Sequence, residues 1–93
     1  MAQVSWSDAA IAGVEEIRRF IVSDNPSAAA RIAQTLVEAA DSLSQLPYRG
    51  RRVEGGGRKL VRPPYVIFYR VGADGEHVTI TAVIDGRRLA IAT

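Results

Sequence analysis

The spacing of apolar residues changes at Pro47, and this change constrains the fold more than any other feature of the 93-residue chain. Before it, Ala10, Val14, Ile17 and Ile21 recur at helical spacing, as do Ala29, Ile32, Leu36, Ala39, Leu43 and Leu46. Each set would line one side of a helix. Ser7 is placed to cap the first helix, with Asp8 in its first turn. Asp24-Asn25-Pro26 ends that helix and starts the second, because proline suits the first helical position. Pro47 stops the second helix, since a proline there has no N–H to continue the ladder. Two helices joined by so short a turn form an antiparallel hairpin with a shared buried face.

After Pro47 the pattern is that of strands. Residues 58–62 and the aromatic, β-branched run 65–71 read as two strands, Ala73-Asp74-Gly75-Glu76 as a hairpin turn, and 77–84 as an alternating strand. Residues 3–6 make a short strand ahead of the helices. Residues 52–57, with three consecutive glycines, form a flexible connection or a distorted strand start. The order β-α-α-β-β-β predicts an α+β fold: an antiparallel sheet with the N-terminal helical hairpin on one face, in one domain over residues 1–93.

Charge is divided unevenly over this framework. Residues 1–47 carry three arginines against six acids, residues 48–93 nine basic residues against four acids, so the halves stand at −3 and +5. Between Pro47 and Val71, seven basic residues (Arg49, Arg51, Arg52, Arg58, Lys59, Arg62, Arg70) face one acid, Glu54, and Arg87 and Arg88 follow near the end. Arginines on a small sheet suit a polyanion or an acidic partner. Without cysteine, disulfides and thiolate metal sites are excluded, and a lone histidine does not make a zinc site, so neither metal nor cofactor is expected. No run approaches the length that spans a bilayer and no secretory signal pattern is present, so a reduced, cytoplasmic protein with no membrane association is expected. The triglycine lacks the Lys-Ser/Thr sequel of a phosphate loop, so the sequence gives little support to nucleotide binding.

The order of elements, with Asp24-Asn25-Pro26, Leu46-Pro47, Gly50-Arg51, Arg58-Lys59-Leu60-Val61, Pro64 to Val71, and Val83-Ile84-Asp85-Gly86-Arg87-Arg88, resembles the RelE/ParE superfamily of toxins from bacterial type II toxin–antitoxin systems. The resemblance covers nearly the whole chain. It implies a growth-inhibiting toxin in a hetero-oligomer with a cognate antitoxin, ParD-like in the ParE branch. That branch inhibits DNA gyrase, whereas the RelE branch cuts messenger RNA on the ribosome. The RelE branch commonly has an arginine after the tyrosine that opens this strand, and a tyrosine or histidine near the C-terminus. Here Val66 follows Tyr65, Asp85 replaces the frequent histidine before Gly-x-Arg, and residues 89–93 contain neither tyrosine nor histidine. These departures favour a ParE-like gyrase inhibitor. The alternatives are a ribosome-dependent endonuclease using Arg58, Lys59, Arg70 and Arg88, or an inactive toxin retained for antitoxin binding and operon autoregulation. Sequence-specific DNA binding is not expected of the toxin itself, since the antitoxin usually carries that domain.

Arg58, Arg62, Arg70, Arg87 and Arg88 are the candidates for a target- or phosphate-facing surface, and solvated arginines are the plain alternative. Arginine can stabilise charge but not act as a base; Asp85 is the nearest acid–base candidate. Pro26, Pro47, Gly50, Tyr65, Tyr69 and Gly86 are the expected structural positions. Tyr65 and Tyr69 share one strand face, where core packing with the hydroxyls on polar partners is favoured over base stacking. Alternation places Arg58, Leu60 and Arg62 on one face of their strand and Lys59 and Val61 on the other, so either the strand is an edge or the sheet has a solvated, basic outer face.

Overall fold

A computed structural model describes residues 1–87. The elements are β1 (Gln3–Trp6), α1 (Asp8–Val22), α2 (Pro26–Asp41), a 3-10 turn (Ser42–Ser44), β2 (Arg51–Arg52), β3 (Arg58–Arg62), β4 (Tyr65–Val71) and β5 (His77–Asp85). One five-stranded sheet runs in the order β1-β5-β4-β3-β2. The α+β class and the element order are as expected. Two features refine the expectation. The sheet is mixed, because β1 pairs with β5 in parallel, Gln3 opposite His77 and Trp6 opposite Ile80. A short β2 precedes the glycine loop and pairs antiparallel with β3.

Both helices start where the sequence places their caps. The Ser7 hydroxyl accepts from Ala10 N at 3.0 Å, and the Asn25 side chain from Ala28 N at 3.1 Å, each satisfying an otherwise orphaned amide of the first turn. The second helix ends earlier than its apolar stripe suggests. It stops at Asp41 and tightens into the 3-10 turn; the Ser42 hydroxyl donates to Ala39 O at 2.6 Å, and Leu46 is 59% exposed. Asp and Ser hydrogen-bond to nearby backbone and compete with the helix, which accounts for the early stop. Leu43 remains fully buried despite the change of helix type.

The core lies between the helical hairpin and one sheet face. Ala10, Val14 and Ile17 of α1 and Leu36, Ala39 and Ala40 of α2 meet Leu60, Tyr65, Ile67, Tyr69, Val78, Ile80 and Val83. Each fully buried Leu or Ile contributes about 1.5–3 kcal/mol. Helix α1 comes so close to β5 that a Cβ on Gly13 would stand 2.2 Å from Val83 O.

The alternation of β5 slips once. Phe68 lies opposite Ala82 but Tyr69 opposite Ile80, so Thr81 is the extra residue of a bulge. The bulge keeps Val78, Ile80 and Val83 all facing the helices, which strict alternation would not allow. The Ser7 hydroxyl that caps α1 also donates to Thr81 O at 3.1 Å, tying the helix start to the bulge.

At the β4–β5 turn, Gly75 has φ +71° and Asp74 accepts from Glu76 N at 2.9 Å while its other oxygen lies 2.9 Å from His77 Nδ1. The Glu76 amide first, and His77 second, hold the exposed Asp74 carboxyl below its usual range. The β3–β4 connection is tight, Arg62 opposite Tyr65, across a cis Pro63–Pro64 peptide. Among the described residues, no helix is long and apolar enough to cross a membrane.

Candidate target-binding surface

Strand register sorts the basic residues. Arg51 stands opposite Lys59, and Lys59 opposite Phe68, on the sheet face away from the helices, whereas Arg52 stands opposite Arg58, and Arg58 opposite Tyr69, on the helix-covered face. Strand β2 therefore flanks β3 only at Arg58 and Lys59, and charge lies on both faces of the sheet, with a solvated outer face: Leu60 is buried, Val61 is 42% exposed and Lys59 is half-buried.

The candidates fall into two groups at opposite ends of β4. Arg58, Lys59 and Arg70 lie at its C-terminal end. Arg62 pairs with Tyr65 at the N-terminal end, where Tyr65 also faces Asp85. Five residues separate Tyr65 from Arg70, about 17 Å along an extended strand. Asp85 is thus placed far from Lys59 and Arg70. Both its oxygens are held by Arg87, at 3.0 Å from Nε and 2.6 Å from Nη2, and this pairing raises the Arg87 pKa. Arg88 lies outside the described residues.

Individual side chains have distinct surroundings. Arg58 Nη1 donates to Gly50 O at 2.9 Å and Tyr48 O at 3.3 Å, and its guanidinium sits 5.1 Å from the Tyr48 ring centroid. This fixes the 48–50 loop against β3. Arg70 is exposed on the outer face and packs beside the glycine loop, where a Cβ on Gly56 would stand 3.0 Å from its Nη1. Gly55, Gly56 and Gly57 all have positive φ, a run that residues with side chains would adopt only under strain. Arg62 is half-buried and helps line a small, mostly apolar cavity of about 190 Å³ with Ile32, Thr35, Leu36, Pro63 and Tyr65.

The structural candidates are placed as follows. Pro26 opens α2, and Pro47 follows the 3-10 turn rather than ending α2 itself. Tyr69 is 1% exposed, and its hydroxyl accepts from Gly50 N at 2.8 Å. Gly50 is buried, and a Cβ there would lie 2.6 Å from both Lys59 O and the Tyr69 hydroxyl. Tyr65 is 9% exposed in the core. Gly86 donates its N–H to Pro64 O at 2.7 Å.

Chemically, the outer face at the β2–β3 end offers Arg51, Lys59 and Arg70 around the half-buried Phe68, which suits an anionic or acidic surface better than proton transfer. Arg51 and Phe68 were not singled out as site residues by the sequence. The signal that could have found Arg51 is the Arg51-Arg52 pair and Arg58-Lys59 flanking a triglycine, which is a hairpin pattern.

Residues 4–90 match the family described as the ParE toxin of the type II toxin–antitoxin system parDE. The chain is 50% identical over 76 residues to "Toxin RelE2" of Caulobacter vibrioides, covering 81% of this chain and 85% of that protein. It is 35% identical over 82 residues to "Putative toxin Y4kP" of Sinorhizobium fredii, covering 84% of each. Among solved structures, a chain of the chromosomal ParDE toxin–antitoxin system of P. aeruginosa superimposes with a TM-score of 0.79 at 27% identity, over 91% of this chain and 96% of that one. The chain belongs to the ParE toxin family of type II toxin–antitoxin systems, within the RelE/ParE superfamily.

Proposed function

We propose that this toxin inhibits DNA gyrase and is restrained by a cognate, ParD-like antitoxin. The observation that carries the reading is the match of residues 4–90 to a family defined by parDE. The sequence departures support it: Val66 after Tyr65, Asp85 before Gly86, and a tail of Leu89 to Thr93 without tyrosine or histidine. The basic outer face at the β2–β3 end would meet an acidic surface of the target. In a supercoiling assay the purified chain is expected to inhibit gyrase at micromolar concentration. Unchanged supercoiling and unchanged gyrase-mediated DNA breakage would sink the reading.

A second reading, a ribosome-dependent messenger RNA endonuclease, is favoured by the name of the relative at 50% identity, RelE2. Arg58, Lys59, Arg70 and Arg88 would then stabilise the scissile phosphate. Programmed ribosomes incubated with the same preparation separate the two, since A-site cuts would support the second reading alone.

The antitoxin assignment draws on the likeness to a solved ParDE system. An acidic segment that folds on binding, as a helix against the α-hairpin or a strand along a sheet edge, complements the basic half of this chain. Co-expression with the neighbouring antitoxin gene is expected to give a co-purifying complex that melts above the free toxin, because a ligand of the native state stabilises it by mass action. Two proteins that elute separately and melt unchanged would refute the partnership.

A further inference from the structure

We propose that the cleft beside β2 and β3, on the helix-covered side of the sheet, binds a nucleotide through its phosphate. The cleft holds about 450 Å³ and is lined by Tyr48, Arg52, Val53, Gly56, Arg58 and Val71. That volume lies within the usual range of small-ligand sites, roughly 300–1,000 Å³.

The two arginines carry the inference. Arg52 and Arg58 are direct cross-strand partners on the same face. Like charges placed opposite each other in a sheet are unfavourable. Among the described residues neither guanidinium meets a carboxylate that would offset the repulsion. The geometry of Arg58 is already set by Gly50 O, Tyr48 O and the Tyr48 ring, and these contacts leave its Nε and Nη2 without a partner among the described residues. A guanidinium fixed in this way, with the exposed Arg52 lining the same cleft, suits the oxygens of a phosphate, which arginine binds through two parallel donors.

The remaining walls favour a nucleotide over a bare anion. Tyr48 is 56% exposed and offers an aromatic surface at the rim, while Val53 and Val71 give the cleft an apolar side. This is not a phosphate loop of the Lys-Ser/Thr kind, which the sequence lacks; the guanidiniums supply the charge. The cleft shares Arg58 with the endonuclease reading but lies on the opposite sheet face from Lys59 and Arg70, and Arg52 belongs to the cleft alone.

The test is a titration of the purified, nitrogen-labelled full chain with inorganic phosphate, with uridine and adenosine monophosphates, and with polyglutamate. Both nucleotides are expected to shift the Val53, Gly56 and Gly57 amides. Arg52→Gln, at an exposed position, should weaken nucleotide and phosphate by about tenfold or more while leaving the rest of the spectrum unchanged. Tyr48→Leu should weaken the nucleotides and spare phosphate. The proposal is overturned if no amide of the cleft responds at millimolar nucleotide. It is equally overturned if Arg70→Gln, rather than Arg52→Gln, removes the response, or if polyglutamate occupies the cleft more tightly than either nucleotide.

Discussion

Gly13→Ala will destabilise the fold by about 1–3 kcal/mol, the usual cost of forcing extra volume into a packed interior. The expectation is informative because helix propensity predicts the opposite sign. Within a helix, replacing glycine by alanine ordinarily gains up to about 1 kcal/mol. Here the added Cβ would stand 2.2 Å from Val83 O, a backbone atom that cannot swing aside as a side chain can. Either α1 lifts off β5 or the strand shifts, and both loosen the contacts of Ala10, Val14 and Ile17 with the sheet. For a domain of this size each kcal/mol lowers the melting temperature by about 4–8 °C. Thermal unfolding monitored by circular dichroism reads the result directly. A variant that melts at or above the parent would show that propensity wins and that the close approach is not tight.

The second large effect is expected at the Gly50–Tyr69 contact. Tyr69→Phe keeps the ring and removes only the hydroxyl, leaving the buried Gly50 amide without the acceptor it now has at 2.8 Å. An unsatisfied buried donor costs about 1–3 kcal/mol. Gly50→Ala should cost more, because its Cβ would meet Lys59 O and the Tyr69 hydroxyl, both at 2.6 Å. The two changes act on one contact, so their effects should be clearly non-additive in a double-mutant cycle. Hydrogen exchange gives the local readout: the Gly50 amide should exchange faster in Tyr69→Phe. Unchanged protection there, together with an unchanged melting temperature, would remove the hydroxyl from the account.

Much of the fold was legible because the signals are local. The stripes of α1 and α2, the capping Ser7 and Asn25, and the Asp74-Gly75 turn are written in residues a few positions apart. What was not legible depends on distant partners. The parallel pairing of β1 follows from β5 having an open edge beside it, which residues 3–6 do not encode. The bulge at Thr81 needs the register of β4, and α2 stops at Asp41 because local hydrogen bonding overrides a stripe that runs on to Leu46. Gly13 left a trace, a glycine inside a helical pattern directly before the apolar Val14, which often marks close packing. The basic residues could be counted, but their division into two groups about 17 Å apart follows from strand pairing alone. In the same way Asp85, adjacent in sequence to the basic tail, proves to be remote from Lys59 and Arg70.

The parallel strand at the N-terminus also bears on the order in which the molecule is completed. Strand β5 is the neighbour of both β1 and β4 and the floor on which α1 rests, yet it follows every other described strand along the chain. Ser7 and Thr81 must find each other across 74 positions of chain. Contacts of such long range carry a loop-closure cost before they return any stabilisation, and they set the pace of folding. During synthesis β1 and the helical hairpin emerge ahead of β5, and the hairpin waits with its apolar face uncovered until β5 has followed. A newly made toxin of this architecture is therefore briefly incomplete, and its sheet is joined to β1 only once β5 is in place.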